Sequence, residues 1–196
     1  MVLPLPLEEM KAAHKLLTEY NYELRPVVHG YANRTLHIDL GTNAIHEKPV
    51  TMEMKKLFTG GRGFGLKLLW DAVTPETKWD DPENELIIAN GPICGTTGSG
   101  KATGVTLSPL TLNVVDSNVG GYFAPFLKFA GFDAMEISGK ADEDVVIFID
   151  GDTGKVTIET APLEAVDSHL LGAHLTRMYA QDEKGQRGVS VMSAGD

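Results

Sequence analysis

Residues 86–109 read LIIANGPICGTTGSGKATGVTLSP, and this stretch decides the fold. The short apolar run over 86–89 predicts a strand, and the segment from Gly95 to Lys101 predicts a glycine-rich turn that carries a basic residue. The following residues, 103–109, are rich in Thr and Val and contain Gly and Pro, so they predict extended chain instead of a helix. The stretch is therefore strand, turn and strand.

The glycine-rich turn nearly matches the phosphate-binding loop of nucleotide hydrolases, in which Gly, four residues and Gly-Lys precede Ser or Thr. Ala102 stands at that last position and has no hydroxyl to offer Mg²⁺. A helix should also follow the loop, where extended chain is predicted. The match to a hydrolase therefore fails, but a glycine-rich turn bearing Lys101 is well suited to hold an anion.

Strands and helices follow one another irregularly along the rest of the chain, which predicts the α+β class instead of a regular βαβ repeat. Two hairpins carry Ile-Asp just before a turn with Gly and Thr, which is compatible with an internal duplication. The predicted strands cover residues 34–40, 44–50, 86–89, 145–150, 155–159 and 189–192, and the predicted helices cover residues 64–72, 122–130 and 163–181.

The first 28 residues form a separate segment in this interpretation. An amphipathic helix is predicted over 7–20, with Met10, Leu17 and Tyr20 on one face, and Pro26 follows it. The chain is therefore divided into an N-terminal helical extension, 1–28, and a domain that covers 29–196.

Two further glycine motifs precede predicted helices. Residues 61–65, Gly-Arg-Gly-Phe-Gly, lack the third glycine of the dinucleotide-binding fingerprint, and a tight turn at a helix start explains them equally well. In the second motif, Asn118 can both donate and accept hydrogen bonds, and Gly120 and Gly121 let a ligand approach the backbone N–H groups. Because Asn, Ser and Asp are also favoured in ordinary helix caps, binding and capping both stay open for this motif.

Composition narrows the class of protein. A net charge of -10 over 196 residues argues against nonspecific nucleic-acid binding. No apolar run reaches the roughly 20 residues of a membrane span, and no secretory signal is visible, so we expect a cytoplasmic protein.

The potential metal ligands are sparse. The single cysteine, Cys94, excludes a disulfide framework or an iron–sulfur site built by this chain alone, and we expect a packed thiol. The six histidines show no metal-ligand spacing, and His37, His169 and His174 are expected to face solvent.

Taken in order, the motifs resemble the N-terminal domain of the aldehyde ferredoxin oxidoreductase family, a group of tungsten-pterin enzymes. The resemblance covers roughly residue 30 to the C-terminus and implies a β-rich domain of two sheets with a few helices. The segments that carry it are 60–63 (GGRG), 90–92 (NGP), 94–96 (CGT), 98–101 (GSGK), 108–110 (SPL), 117–121 (SNVGG), 127–133 (LKFAGFD), 138–141 (SGKA) and 193–196 (SAGD).

The resemblance also implies a site. Lys101 would contact the phosphate region of a tungsten bis-pterin cofactor, the molybdopterin type, where many family members have arginine. Asn118 would lie near the Mg²⁺ that bridges the two pterin phosphates, and the backbone at Gly120 and Gly121 would meet the pterin. No catalytic residue is predicted in this chain. The 4Fe-4S cluster, the rest of the pterin site and the substrate pocket are expected in later domains or a partner subunit.

The family resemblance implies that the complete enzyme oxidises an aldehyde to a carboxylic acid and passes electrons through the iron–sulfur cluster to ferredoxin. Two alternatives to this activity stay open. The same domain occurs in tungsten-dependent benzoyl-CoA reductases, and Cys94-Gly95 and Ala124-Pro125 lean that way. In the second alternative, the chain is a noncatalytic cofactor-binding or assembly subunit. Its expected partners are the remaining catalytic domains or subunit and ferredoxin or an iron–sulfur electron-transfer subunit.

Overall fold

A six-stranded and a three-stranded β-sheet organise the chain. The structure is a computed structural model, and it describes residues 7–96, 100–161, 167–180 and 182–193. The strands are β1 Leu16–Asn21, β2 Arg34–Asp39, β3 Ala44–Pro49, β4 Leu86–Ala89, β5 Ala102–Leu107, β6 Val114–Val119, β7 Ala134–Ser138, β8 Val145–Asp150 and β9 Lys155–Thr160. The helices are α1 Leu7–Ala13, α2 Met52–Phe58, α3 Arg62–Ala72, α4 Phe123–Phe129, α5 Ser168–Tyr179 and α6 Glu183–Gln186.

The larger sheet has the strand order β3-β2-β7-β4-β5-β6. The β2–β7 pair is parallel, and the other neighbouring pairs are antiparallel. The stretch over 86–109 supplies β4 and β5, and a strand follows its glycine-rich turn as the sequence predicts. This arrangement confirms the α+β class with two sheets and places that turn at one end of the sheet.

Both faces of the larger sheet bury apolar side chains. On one face, Leu36 and Ile38 of β2 pack in a core with Val156 and Ile158 of β9, so the smaller sheet covers part of this face. On the other face, α2 and α3 pack over β4, β5 and β7, and their core contains Phe64, Leu69, Ile87, Val105 and Ala134. Alternation along each strand directs successive side chains to the two cores.

The N-terminal segment is only partly helical. The helix predicted over 7–20 ends at Ala13, and residues 16–21 form β1, which pairs antiparallel with β9 in the sheet order β1-β9-β8. The prediction is therefore wrong beyond Ala13. The free edge of β9 offers backbone hydrogen-bonding groups that a strand can satisfy and a helix cannot. The domain boundary after residue 28 stays a prediction.

The two Ile-Asp hairpins form as predicted and share the same turn chemistry. Asp39 accepts hydrogen bonds from the backbone N–H of Gly41 at 2.8 Å and the hydroxyl of Thr42 at 2.7 Å. Asp150 accepts from the N–H of Asp152 at 3.0 Å and the hydroxyl of Thr153 at 2.6 Å. The hairpins lie in different sheets. An internal duplication stays a hypothesis.

The C-terminal elements differ from the prediction. The helix predicted over 163–181 is α5, and residues 162–166 and 181 lie outside the described residues. Residues 189–192 form no strand. Met192 instead packs against the core and lies over the sheet face formed by Leu86, Ile88 and Val119. Within the described ranges, no helix is long and apolar enough to span a membrane.

Candidate functional site

The glycine motif at residues 60–65 and the segment that begins at Asn90, directly after β4, meet at one end of the larger sheet. The N–H of Gly61 donates to the carbonyl oxygen of Asn90 at 2.9 Å, and a Cβ added at Gly60 would lie 3.0 Å from the Cα of Gly91. Gly61 adopts φ 54° and ψ -124°, a conformation that glycine adopts much more readily than other residues. The glycines are therefore required for this close backbone approach. An open cavity of about 280 Å³ lies here, lined by Gly60, Gly61, Gly91, Pro92, Ile93, Cys94, Gly100 and Lys101.

Strand pairing brings Lys101 and the third motif to the same place. β5 and β6 pair with Ala102 opposite Val119 and Thr103 opposite Asn118. Continuing this register by one residue places Lys101 opposite Gly120. The antiparallel pairing thus joins three of the predicted site residues across two neighbouring strands. Residues 97–99 of the glycine-rich turn lie outside the described residues.

Lys101 and Asn118 have exposed side chains. The hydroxyl of Thr103 donates to Asn118 Oδ1 at 3.1 Å, which fixes the direction of the Asn118 amide. The amide oxygen keeps a second lone pair, and its NH₂ group can still donate. A basic side chain and an oriented amide at one sheet end suit an anionic ligand that also carries a cation.

Gly120 and Gly121 leave their backbone open. A Cβ added at either glycine would meet no heavy atom within 4 Å, and Gly121 has φ +92°. Side-chain crowding therefore explains neither glycine; the positive φ accounts for Gly121 and leaves Gly120 without a conformational or steric reason. The helix cap predicted as the alternative is not made by a side chain, since Tyr122, the N-cap of α4, forms no side-chain cap hydrogen bond.

A buried ion pair between Lys128 and Asp133 holds the chain segment that packs against the cavity wall. The carboxylate of Asp133 accepts from the Lys128 ammonium and from the backbone N–H groups of Ala32 and Asn33, at 3.0 and 2.7 Å. The Lys128 ammonium also donates to the carbonyl oxygen of Gly30 at 2.9 Å. A Cβ added at Gly30 would lie 2.1 Å from the carbonyl oxygen of Pro92, so the pair holds the chain against the cavity wall.

Cys94 is a packed thiol. It is 5% exposed, belongs to the core between the sheets, and burial raises the pKa of its thiol. A Cβ added at Gly100 would lie 2.2 Å from its sulfur, so the thiol is covered by the glycine-rich turn. The thiol therefore packs as the sequence predicts.

The histidines are not assembled into a metal site. His37 is not solvent-facing, and that prediction is wrong. Its side chain is only 13% exposed, and its Nε2 lies 3.2 Å from a carboxylate oxygen of Glu85, which is buried. His169 is exposed and His174 is half-buried on α5. Among the described residues, no cluster of three or more His, Cys, Asp or Glu side chains could hold a metal ion.

Sequence reasoning missed an ion pair at the site. Arg62, which follows Gly61, places Nη2 2.6 Å from Oδ2 of Asp116 on β6. Asp116 and Asn118 are two residues apart on one strand and share a face. The spacing of Asp116 and Asn118 is visible in the sequence and indicates that both lie on one face of a strand. The sequence alone does not show that α3 begins beside β6.

Comparison with known proteins identifies the relatives of the chain. Residues 35–196 match the family model described as aldehyde ferredoxin oxidoreductase, N-terminal domain. Tungsten-containing aldehyde ferredoxin oxidoreductases are similar to the chain. The one from Pyrococcus horikoshii is 35% identical over 168 residues, which is 85% of this chain and 27% of that protein. The one from Pyrococcus furiosus is 35% identical over 172 residues, 86% of this chain and 27% of that protein.

Two other relatives have different names. The WOR-like subunit of the aliphatic sulfonate oxidoreductase of Pyrococcus furiosus is 33% identical over 132 residues, 66% of this chain and 21% of that protein. A chain of the active-site complex BamBC of benzoyl coenzyme A reductase, in complex with 1,5-dienoyl-CoA, has a TM-score of 0.71 and 34% identity. That match covers 76% of this chain and 23% of the other.

The chain spans about a quarter of the length of the relatives that it matches. The family match covers β2 and the elements that follow it, including all three glycine motifs. The relatives in sequence and the structural neighbour are all oxidoreductases or reductases by name, and the structural match covers 76% of this chain. The chain belongs to the aldehyde ferredoxin oxidoreductase family and corresponds to its N-terminal domain.

Proposed function

We propose that this chain holds the phosphate groups and ring edges of a tungsten bis-pterin cofactor, as part of an enzyme that oxidises aldehydes to carboxylic acids with ferredoxin as electron acceptor. The observation that carries the proposal is the meeting of Lys101, Asn118 and Gly120 across β5 and β6, beside the cavity lined by Gly61 and Lys101. The names of the relatives support tungsten as the metal.

The residues present fit such a ligand. Lys101 supplies a mobile positive charge for a phosphate, and the open N–H groups at Gly120 and Gly121 can donate to oxygen or ring atoms. Asn118 offers an amide oxygen oriented by Thr103, which suits the first or second coordination sphere of a Mg²⁺ between phosphates. An acidic domain with a net charge of -10 must hold an anion through such local groups.

When bound, the tungsten and its dithiolene ligands supply the redox chemistry. The chain's own residues position and orient the cofactor: Lys101 neutralises phosphate charge, and the backbone at residues 120–121 fixes a ring edge. The Lys128–Asp133 pair keeps the cavity wall rigid behind them. Cys94 is buried, so the expected 4Fe-4S cluster belongs to other parts of the enzyme or to a partner subunit.

The test uses Lys101→Ala and Asn118→Ala in the protein purified natively with the parts that copurify. Tungsten and pterin per protein should fall in both variants, while circular dichroism stays unchanged. Lys101→Arg should retain the cofactor, and Lys78→Ala, which removes an exposed lysine from another loop, is the matched control. Full tungsten and pterin content in folded Lys101→Ala and Asn118→Ala would contradict the site.

A second function has a specific observation in its favour, the similarity to the benzoyl coenzyme A reductase complex. In that case the same domain would hold the cofactor of an enzyme that reduces an aromatic ring. Assaying the natively purified assembly with an aldehyde and, separately, with benzoyl-CoA distinguishes the two. If neither substrate reacts while the cofactor is bound, both activities are excluded, and a noncatalytic cofactor-binding or assembly subunit becomes the alternative to test.

A further inference from the structure

The Arg62–Asp116 ion pair links two of the glycine motifs. Arg62 is the first residue of α3 and follows Gly61, which lines the cavity together with Lys101. Asp116 lies on β6, two residues before Asn118 and on the same face. The Nη2–Oδ2 distance is 2.6 Å, and the two side chains are 56% and 31% exposed. The pair is thus accessible from solvent at the edge of the proposed cofactor site.

Charge balance favours a second cation at this site. Lys101 carries one positive charge and a phosphate group carries up to two negative charges, so a second cation on this chain would strengthen its hold on a phosphate. The Lys128 ammonium is not available, because it is buried and bound to Asp133. Arg62 is accessible, and its planar guanidinium can bind phosphate through two parallel hydrogen bonds. Helix α3 adds to this, since it has no side-chain cap and no acidic residue in its first turn.

Asp116 places a carboxylate beside the same site, where it opposes an anion. An exposed ion pair of this kind is weak and shifts an equilibrium by no more than about fivefold. A doubly charged phosphate can therefore compete successfully with Asp116 for the guanidinium. The carboxylate holds the Arg62 guanidinium at the face of β6 that also carries Asn118, and its negative charge opposes an anion there.

We propose that Arg62 is a second phosphate-binding residue beside Lys101, and that Asp116 competes with the phosphate for the Arg62 guanidinium. This inference rests on the proposed function. It predicts that cofactor affinity is set partly by a carboxylate that never contacts the cofactor.

The test is calorimetric titration of the chain with inorganic pyrophosphate in the presence of Mg²⁺, at several salt concentrations. Arg62→Ala should weaken binding about tenfold and flatten its salt dependence, and Arg62→Lys should restore part of both. Asp116→Asn should tighten binding by up to about fivefold. The matched controls are Arg25→Ala and Glu23→Gln, because Arg25 and Glu23 form a comparable exposed pair with 55% and 75% exposed side chains.

The double variant Arg62→Ala/Asp116→Asn separates competition for Arg62 from simple repulsion of the anion. If Asp116 acts through Arg62, the gain from Asp116→Asn shrinks in the Arg62→Ala background. An undiminished gain means that Asp116 repels the anion directly, and it overturns the competition for Arg62. Lys101→Ala in the same assay reports on the proposed function: weaker binding in Lys101→Ala with unchanged binding in Arg62→Ala overturns this inference alone. No saturable binding by the unmodified chain overturns both.

Discussion

Removing the buried cation Lys128 should destabilise the chain severely. In Lys128→Met the apolar stem is approximately kept, but the carboxylate of Asp133, which is 0% exposed, loses its counter-charge, and the carbonyl oxygen of Gly30 loses its donor. Two backbone N–H groups still donate to Asp133, so the carboxylate is only partly compensated. Breaking a buried ion pair from one side costs about 3–5 kcal/mol, a large share of the roughly 5–15 kcal/mol that stabilises a typical domain.

Urea denaturation followed by circular dichroism measures this loss. With a denaturant slope of about 2 kcal/mol/M, the midpoint should fall by about 1.5–2.5 M urea. The matched control is Lys155→Met, which removes the partner of Glu19 from an exposed pair with 38% and 36% exposed side chains. That variant should lose less than about 1 kcal/mol. Equal, small losses in the two variants would refute the reasoning that burial gives the Lys128–Asp133 pair its importance.

Two other predictions concern packing and ionisation. Gly65→Ala should cost about 1–3 kcal/mol of unfolding free energy, because its Cβ would lie 2.5 Å from Cγ2 of Val105, whereas Gly172→Ala on α5 meets nothing within 4 Å and should gain about 0.5–1 kcal/mol. Equal unfolding midpoints for the two variants would contradict the close helix–strand contact. Burial raises the pKa of Tyr22, whose hydroxyl donates to the carbonyl oxygen of Ala130, to about 12. Its stabilising contribution should be complete below about pH 10 and lost as the pH rises towards 12. In an absorbance titration at alkaline pH, Tyr22→Phe should remove one late transition, and a single shared transition near pH 10 would contradict this.

Local sequence patterns predicted several strands correctly. The two Ile-Asp hairpins follow from alternation and turn residues, the strand β4 follows from a short apolar run, and they lie where expected. The segment before β2 was predicted less well, because Leu17 and Tyr20 are three residues apart and fit a helical stripe, whereas residues three apart in a strand such as β1 alternate to opposite faces. Pairing with β9, which is distant in sequence, decides between the two. Residues 189–192 were also mispredicted because tertiary contacts decide their structure. Met192 packs on a sheet face, and its segment does not pair with an edge strand.

The candidate site was predictable in its parts and not in its assembly. The glycine motifs, Lys101 and Asn118 are visible in the sequence, and their chemistry follows from residue type. Their meeting depends on the β5–β6 register and on contact between distant backbones, as in the hydrogen bond from Gly61 to Asn90. The Arg62–Asp116 pair is likewise a product of tertiary structure, because the start of α3 and the middle of β6 are far apart in the chain.

The most direct test of the central claim is the tungsten, molybdenum, iron and pterin content of the protein purified natively with whatever copurifies. We expect tungsten and about two pterins per chain, with iron contributed by the copurifying parts, and we expect both tungsten and pterin to be lost when Lys101 and Asn118 are replaced together. Purified, folded protein that contains neither metal nor pterin would contradict the claim that this domain holds the cofactor.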